Sequence, residues 1–122
     1  ERSFADIESV PHSAGFSFVE DPSQQHHLHE IKVGTLQVDN LVPSSAQVRL
    51  IKVDVQGAAL RALKGCERTI SRCRPRILFE FEKHVSECRG DDWPSYVAFF
   101  EAHQYDTFSI LGPWEDFLAV PR

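Results

Sequence analysis

The chain has 122 residues, of which 42% are hydrophobic and 25% are charged, and its formal net charge at pH 7 is −5. A chain of this size has room for one soluble, globular domain with a hydrophobic core. The acidic balance argues against a nucleic-acid-binding surface and against binding to anionic membranes, because phosphate binding needs a clustered excess of Lys and Arg.

Residues 1–30 form a polar N-terminal segment that is interrupted by Pro11, Gly15 and Pro22. These prolines and glycines predict an irregular segment. Within it we predict one short strand over residues 15–20, where the side chains alternate along the chain.

A histidine cluster follows this strand, with His26, His27 and His29 close together. Imidazoles at this density can bind a transition metal if the backbone folds them inward. Neighbouring residues diverge in strands and in helices, so His27 and His29 on one strand face are the best candidate pair. We interpret the cluster as a loop and predict no metal site, with metal binding by this pair as an alternative hypothesis.

The apolar side chains of residues 30–42 alternate between two faces well enough to predict a second strand, with a bulge at Gly34. Asp39, Asn40 and Pro43 end this strand. We expect Asp39 to be a cap or turn residue, because short polar side chains hydrogen-bond to nearby backbone groups.

Residues 50–55 form a near-continuous apolar run with several β-branched side chains, which predicts a strand covered on both faces. Asp54 lies at the carboxyl end of this strand. Open parallel sheets bind ligands just outside the carboxyl ends of their strands, so Asp54 is a candidate site residue. A turn aspartate or a charge at a helix N-terminus is the alternative.

Gly57 allows a sharp exit from this strand into a helix that we predict to run to about Arg72. The helix has one apolar stripe at spacings of three and four, formed by Leu60, Leu63, Cys66 or Glu67, and Ile70. A basic stripe on the solvent side consists of Lys64, Arg68 and Arg72.

Residues 76–82 predict another buried strand, which follows Pro75. Glu80 interrupts its apolar run near the carboxyl end. Burial of a carboxylate is unfavourable unless something pairs with it. Glu80 is therefore a second candidate site residue, and a salt bridge to an arginine is the competing explanation.

The C-terminal third predicts a polar loop over residues 86–94, a helix over residues 93–103 and two antiparallel strands over residues 105–111 and 115–120. Asp92 is the expected N-cap of the helix, and its aromatic stripe is expected to lie in the core.

The stretch IKVDVQGAALRALKG, residues 51–65, resembles the signature of the FkbM-type S-adenosylmethionine-dependent methyltransferases. In that family an apolar strand ends in Asp-x-Glu-Gly-x-Glu, and the following helix carries Leu-x-Gly. Gln56 and Ala59 stand where the family has its two glutamates, and glutamine can hydrogen-bond but cannot act as a base. The matching positions are Asp54, Gly57, Leu63 and Gly65.

Three further stretches are similar to the family and extend the resemblance from about Gly15 to the end of the chain. LQVDNLVP, which contains Asp39, resembles the run Leu-Asp-Asp-Leu. The strand with Glu80 resembles Pro-x-Ile-Leu-x-Glu, and the final LAVP resembles the close of the family domain, which suggests a native C-terminus. A start at Glu1 without methionine suggests processing or truncation.

The resemblance implies an α/β fold: the second half of a Rossmann-like methyltransferase sheet, mostly parallel, with a C-terminal antiparallel hairpin. Residues 1–122 would form one partial domain, since no glycine-rich turn follows a strand and the usual nucleotide-binding half is absent. A half-sheet would leave its innermost strand unpaired. We therefore expect a homodimer, aggregation or a missing N-terminal half.

The resemblance also implies S-adenosylmethionine-dependent O-methyl transfer to a small molecule or sugar hydroxyl. Asp54 and Glu80 would be catalytic, and Asp54, Gln56 and Gly57 would bind the cofactor. The alternative is a catalytically silent interaction module that keeps the fold.

The cysteine pattern indicates a reducing compartment, and we predict that the protein is cytoplasmic. The three cysteines cannot all pair within one chain and none lies in a Cys-x-x-Cys spacing, so neither a disulfide framework nor a zinc ribbon is indicated. No apolar run approaches the length of a membrane span, and the N-terminus does not resemble a signal peptide.

Overall fold

A computed structural model describes residues 34–87, 90–110 and 116–122 of the chain. The strand predicted at residues 15–20 and the histidine cluster lie outside these residues. No helix in the described part is long and apolar enough to span a membrane.

The described part of the chain contains four strands and four α-helices. A single turn of 3-10 helix at Val38–Asn40 comes first, followed by β1 (Leu50–Val53), α1 (Ala59–Lys64), α2 (Glu67–Cys73), β2 (Arg76–Glu80), α3 (Lys83–Glu87), α4 (Trp93–Ala102), β3 (Tyr105–Ser109) and β4 (Asp116–Pro121).

The four described strands form one mixed sheet in the order β1-β2-β4-β3. β1 and β2 are parallel, whereas β4 is antiparallel to both of its neighbours. This confirms a mixed α/β fold in which the last strand inserts antiparallel and forms a hairpin with β3. One of the three pairings is parallel, so the described part of the sheet is not mostly parallel as predicted.

Phe79 on β2 is at the centre of the core and is 1% exposed. Its ring lies 5.7 Å from that of Tyr96, 4.9 Å from that of Phe100 and 5.5 Å from that of Phe117, measured between centroids. These contacts join α4 and β4 to β2. The aromatic stripe on α4 is therefore in the core, as predicted, and it supports the strand that carries Glu80.

The helix predicted to run from Gly57 to about Arg72 is two helices, α1 and α2, although the predicted apolar stripe is buried along both. The break is at Gly65, whose carbonyl accepts a hydrogen bond from Asp39 N at 3.0 Å. A Cβ atom at residue 65 would lie 3.3 Å from the Ala62 carbonyl oxygen, closer than most such contacts. Gly65 ends α1, and α2 begins at Glu67.

The strand predicted over residues 30–42 is wrong for the described residues from Gly34 onward, which are irregular apart from the 3-10 turn. This segment packs on α2 instead of joining the sheet. The Asp39 carboxylate accepts hydrogen bonds from Arg68 N at 2.8 Å, from Thr69 N at 2.9 Å and from the Thr69 hydroxyl at 2.7 Å. Asp39 is thus a helix cap, as expected, but for a helix about thirty residues away in the chain.

Three further boundaries differ from the predictions. β1 ends at Val53, and Leu50 at its start is 60% exposed, so this strand is not covered on both faces. β2 ends at Glu80, two residues early. Ser86 and Glu87 belong to α3 and not to a loop.

The start of α4 is as predicted. The Asp92 side chain accepts a hydrogen bond from Ser95 N at 3.0 Å, and a proline occupies the first turn. This cap satisfies one of the free N–H groups at the helix start and fixes where α4 begins.

Candidate active site

The carboxyl ends of β1 and β2 lie side by side, because the two strands are parallel and Val53 pairs with Phe79 in register. Asp54 directly follows β1, and Glu80 is the last residue of β2. Asp116, the first residue of β4, is paired with Glu80 across the sheet. Three carboxyl groups from three strands therefore meet at one edge of the sheet.

A cavity of about 260 Å³ opens at this edge. Of the four residues predicted for the site, Asp54, Gln56 and Glu80 line it, whereas Gly57 is buried in the adjoining turn. The full set of residues that line the cavity is Lys52, Val53, Asp54, Gln56, Leu78, Phe79, Glu80 and Asp116. The structure therefore brings the predicted polar side chains together.

The turn between β1 and α1 uses two successive residues with positive φ. Gln56 has φ 45° and Gly57 has φ 76°. Glycine adopts this conformation without steric cost, whereas it is uncommon for glutamine and stores on the order of 1 kcal/mol of strain. The backbone reverses within a few residues, and Gln56 remains at the cavity wall.

Asp54 forms an ion pair with Lys52, whose Nζ lies 3.0 Å from Asp54 Oδ2. The Asp54 side chain is 52% exposed, so this pair contributes little to stability. Asp54 is not the N-cap of α1, because Ala58 occupies that position and no side chain caps the helix. Its ion pair with Lys52 is compatible with the alternative of a turn aspartate. Asp54 is thus free to meet a ligand at the cost of releasing a surface lysine.

Glu80 is partly buried and is surrounded by acidic groups. Burial, the negative charges of Glu82 and Asp54, a side-chain hydrogen bond with Glu82 and the charge of Asp116 together raise the pKa of Glu80 to about 7. The competing explanation, a salt bridge to an arginine, is wrong for the described residues, where none of the ion pairs includes Glu80. A carboxyl group that titrates near neutral pH can act as a general base or acid.

Two cavity residues were not predicted from the sequence. Lys52 could have been found, because residues two apart on a strand point to the same face and Lys52 precedes Asp54 by two. Asp116 could not, because its pairing with Glu80 depends on a register between strands that are far apart in the chain.

A larger hollow of about 400 Å³ lies elsewhere, between α4 and β3. Its two acidic residues are occupied: Glu101 and Asp106 each form an ion pair of 2.7 Å with Arg122. It contains none of the predicted site residues. The smaller cavity, where uncompensated polar groups converge, is the better candidate site. Within the described ranges, no group of three or more His, Cys, Asp or Glu side chains could hold a metal ion.

Comparison with protein families matches the chain to the methyltransferase FkbM domain over residues 1–107. The chain belongs to the FkbM methyltransferase domain family. Searches of curated proteins and of solved structures find no match.

The FkbM match includes the whole predicted signature, with Asp54, Gln56, Gly57 and Glu80. It begins at residue 1, upstream of Gly15, where the resemblance was expected to start. It ends at residue 107, before β4, so Asp116 lies outside the matched region.

Proposed function

We propose that this chain is the C-terminal portion of an S-adenosylmethionine-dependent methyltransferase that methylates an oxygen of a small molecule or a sugar hydroxyl. The observation that carries this proposal is that Glu80, whose pKa is raised to about 7, lines the same cavity as Asp54 in a chain of a methyltransferase family. We further propose that the sheet is the second half of a Rossmann-like sheet. Its parallel β1–β2 pair and its inserted antiparallel strand support this assignment.

The residues at the cavity fit the charged end of the proposed cofactor. When bound, S-adenosylmethionine supplies a methyl carbon on a positively charged sulfur. The Asp54 carboxylate favours a positive charge beside it, and release of the exposed Lys52 costs on the order of 1 kcal/mol or less. The Gln56 amide can hydrogen-bond to a ligand, and Gly57 allows the tight turn that holds both side chains at the cavity.

The size of the cavity supports an incomplete site. Its volume of about 260 Å³ is below the range of roughly 300–1,000 Å³ that is usual for small-molecule sites. The described walls can therefore hold the reactive end of the donor and not all of it. We propose that the remaining walls come from an N-terminal half or from a second copy of the chain, next to the outer edge of β1.

Glu80 has the role of proton acceptor in this proposal. A hydroxyl oxygen is a poor nucleophile until its proton leaves, and a base with a pKa close to the working pH is the most effective at removing it. The carboxyl group of Glu80 meets this condition through its surroundings. Asp54, at the neighbouring strand end, would face the donor while Glu80 faces the acceptor.

The test is to replace Asp54 by asparagine in an active form of the protein and to measure transfer of a labelled methyl group. We expect kcat/KM to fall by about 100-fold or more, because a charge that stabilises the reacting cation is lost. Asp106→Asn is the matched control, since both aspartates are 52% exposed and form a surface ion pair. Unchanged turnover in Asp54→Asn with a normally folded protein would rule out this role.

A second candidate function is a silent interaction module, and the substitutions in the signature favour it. Ala59, in place of a glutamate, is 2% exposed and belongs to the core, so no carboxylate remains at that position. Calorimetric titration of the 122-residue chain with S-adenosylmethionine separates the two functions. Binding with a defined stoichiometry supports the enzyme. If neither the chain nor a longer form that includes the upstream sequence binds the cofactor, the silent module is the better assignment.

A further inference from the structure

We propose that two copies of this chain pack against each other through the face of the sheet that the described helices leave uncovered. This interface goes beyond the proposed methyl transfer and does not depend on it.

The two faces of the described sheet differ in burial. One face carries Val53, Ile77, Phe79 and Ala119, which are all buried in one core cluster with residues of α1, α2 and α4. The strand residues that alternate with these point to the other face, and none of them is buried. We call this second face the open face. Its residues, strand by strand, are Leu50 and Lys52, then Arg76, Leu78 and Glu80, then Asp116, Leu118 and Val120, then Asp106 and Phe108.

The open face has an apolar centre. Leu78, Leu118 and Phe108 form an apolar row across three strands, because Leu78 pairs with Leu118 and Leu118 pairs with Phe108 in register. Phe108 is 55% exposed, and Leu50 on the same face is 60% exposed. Parallel strands such as β1 and β2 are normally buried on both faces. A partner that covers the open face therefore gains the burial of these side chains.

The charges on β2 fit a second copy of the same face. Arg76 lies at the amino end of β2 and Glu80 at its carboxyl end, each two residues from Leu78. A two-fold axis across the strands at the level of Leu78 places Arg76 of each copy opposite Glu80 of the other. This contact occurs twice, because a two-fold interface is self-complementary. No ion pair between described residues includes Arg76 or Glu80.

The other charges on the open face agree with this antiparallel arrangement. Lys52 is held by Asp54 of its own chain at 3.0 Å, and Asp106 is held by Arg122 at 2.7 Å. Asp116 pairs with Glu80 in register, so it adds to the negative charge that the arginine of the second copy meets. A two-fold axis along the strands would instead place the two acidic ends together, which is unfavourable.

The size of the open face predicts a weak dimer. Four strands about 4.8 Å apart and five residues of about 3.4 Å each give roughly 300 Å² per copy. Stable interfaces bury about 800 Å² of each partner. Sheets that pack face to face lie about 10 Å apart, a gap that an arginine and a glutamate from facing strands can bridge. We therefore expect association in the micromolar to millimolar range.

The second copy would also form a wall of the candidate site. Lys52, Leu78 and Glu80 belong both to the open face and to the cavity lining. Arg76 of the second copy would reach the cavity from this side, in addition to the walls proposed next to the outer edge of β1. The dimer would thus place a positive charge beside the carboxyl groups of the site, which the single chain does not.

The test is sedimentation equilibrium of the 122-residue chain over a range of concentrations, without donor or acceptor. We expect a monomer–dimer equilibrium. Arg76→Glu brings like charges together and should raise the dissociation constant by about tenfold or more. The double variant Arg76→Glu with Glu80→Arg restores opposite charges and should recover the association. Arg76 is exposed, so its variant should fold normally, which circular dichroism checks.

Lys64→Glu is the matched control. It makes the same change of charge at an exposed position of α1, in the layer of helices on the other side of the sheet. The dissociation constant of this variant should equal that of the unmodified chain.

Each outcome decides for or against the open face. A monomer at every concentration overturns the second copy as its occupant and points to a segment of the same chain instead. Equal dissociation constants in Arg76→Glu and in the unmodified chain also overturn it and point to another surface, such as the outer edge of β1. A double variant that associates no better than Arg76→Glu overturns the pairing with Glu80. None of these outcomes depends on methyl transfer, so failure of the proposed function leaves the test of the interface unaffected.

Discussion

Replacement of Asp39 by alanine should destabilise the fold substantially, although Asp39 does not line the candidate site. The Asp39 side chain is 7% exposed and accepts three hydrogen bonds from Arg68 and Thr69 at distances of 2.7 to 2.9 Å. Two of the donors are backbone N–H groups in the first turn of α2, which have no partner within the helix. The substitution leaves these donors without an acceptor.

The expected loss follows from the contacts. A lost N-cap costs about 1 kcal/mol and up to about 2 kcal/mol. The hydroxyl of Thr69, which is 3% exposed, adds about 1–2 kcal/mol as a buried donor that loses a charged acceptor. The sum is a decrease of about 3 kcal/mol in the free energy of unfolding. Asp39→Asn keeps one oxygen acceptor and should lose about half of this.

Urea unfolding at pH 7, followed by circular dichroism, measures the loss. Asp106→Ala is the control, because it removes an aspartate from an exposed ion pair and should cost less than about 1 kcal/mol. Combination of Asp39→Ala with Thr69→Ala should give less than the sum of the single effects, since both remove the same hydrogen bond. A loss below about 0.5 kcal/mol in Asp39→Ala would refute the capping role.

The pH dependence of this effect has a defined sign. Burial acts to raise the pKa of Asp39, but the hydrogen bonds from Thr69 and Arg68 outweigh it, and the pKa is lowered from its ordinary value of 3.8. A carboxyl group with a lowered pKa contributes stability above its unfolded pKa and loses it as the pH falls through the folded pKa. The difference between the unmodified chain and Asp39→Ala should therefore be full at pH 7 and shrink below 3.8.

Two other predictions concern the site and the sheet edge. The pKa of Glu80 is raised from 4.5 to about 7, so the folded state loses stability as the pH rises through this range, by at most about 3 kcal/mol before solvent screening. In Glu80→Gln, the urea midpoint should therefore change less with pH between these values. An equal pH dependence of the midpoint in the variant and the unmodified chain would contradict this prediction. The outer edge of β1 has no partner strand within the described residues, so the 122-residue chain should sediment as dimers or larger species. A clean monomer would count against this edge as an association site.

The sequence predicted the parts of the fold in which local pattern and tertiary environment agree. The β2 strand, the aromatic stripe of α4 and its Asp92 cap all follow from short-range periodicity and capping chemistry. The same reasoning located Asp54 and Glu80 at strand ends. Parallel strands bring their carboxyl ends to one edge of a sheet, so two residues about twenty-five positions apart could be predicted to share a site.

Predictions failed where a distant group decides the local structure. Residues 34–42 alternate as a strand would, but the Asp39 carboxylate accepts hydrogen bonds from two backbone N–H groups of α2 that have no partner within the helix. The backbone N–H of Asp39 also donates a hydrogen bond to the carbonyl of Gly65, which lies between α1 and α2 where one continuous helix was predicted. Gly65 itself is a local signal that a helix can end there, but nothing near it in the chain identifies Asp39 as the donor to its carbonyl.

The sequence by itself determined the family, the mixed α/β class and the strand-end positions of Asp54, Gln56 and Glu80, because these depend on residues that are neighbours in the chain. The tertiary structure decided which charges surround these side chains. Lys52 offsets the charge of Asp54, whereas Asp116, which reaches Glu80 through the register of β2 and β4, adds to the negative charge around it. The ionisation of a carboxyl group depends on burial and on all nearby charges, and those are set only when the strands pair.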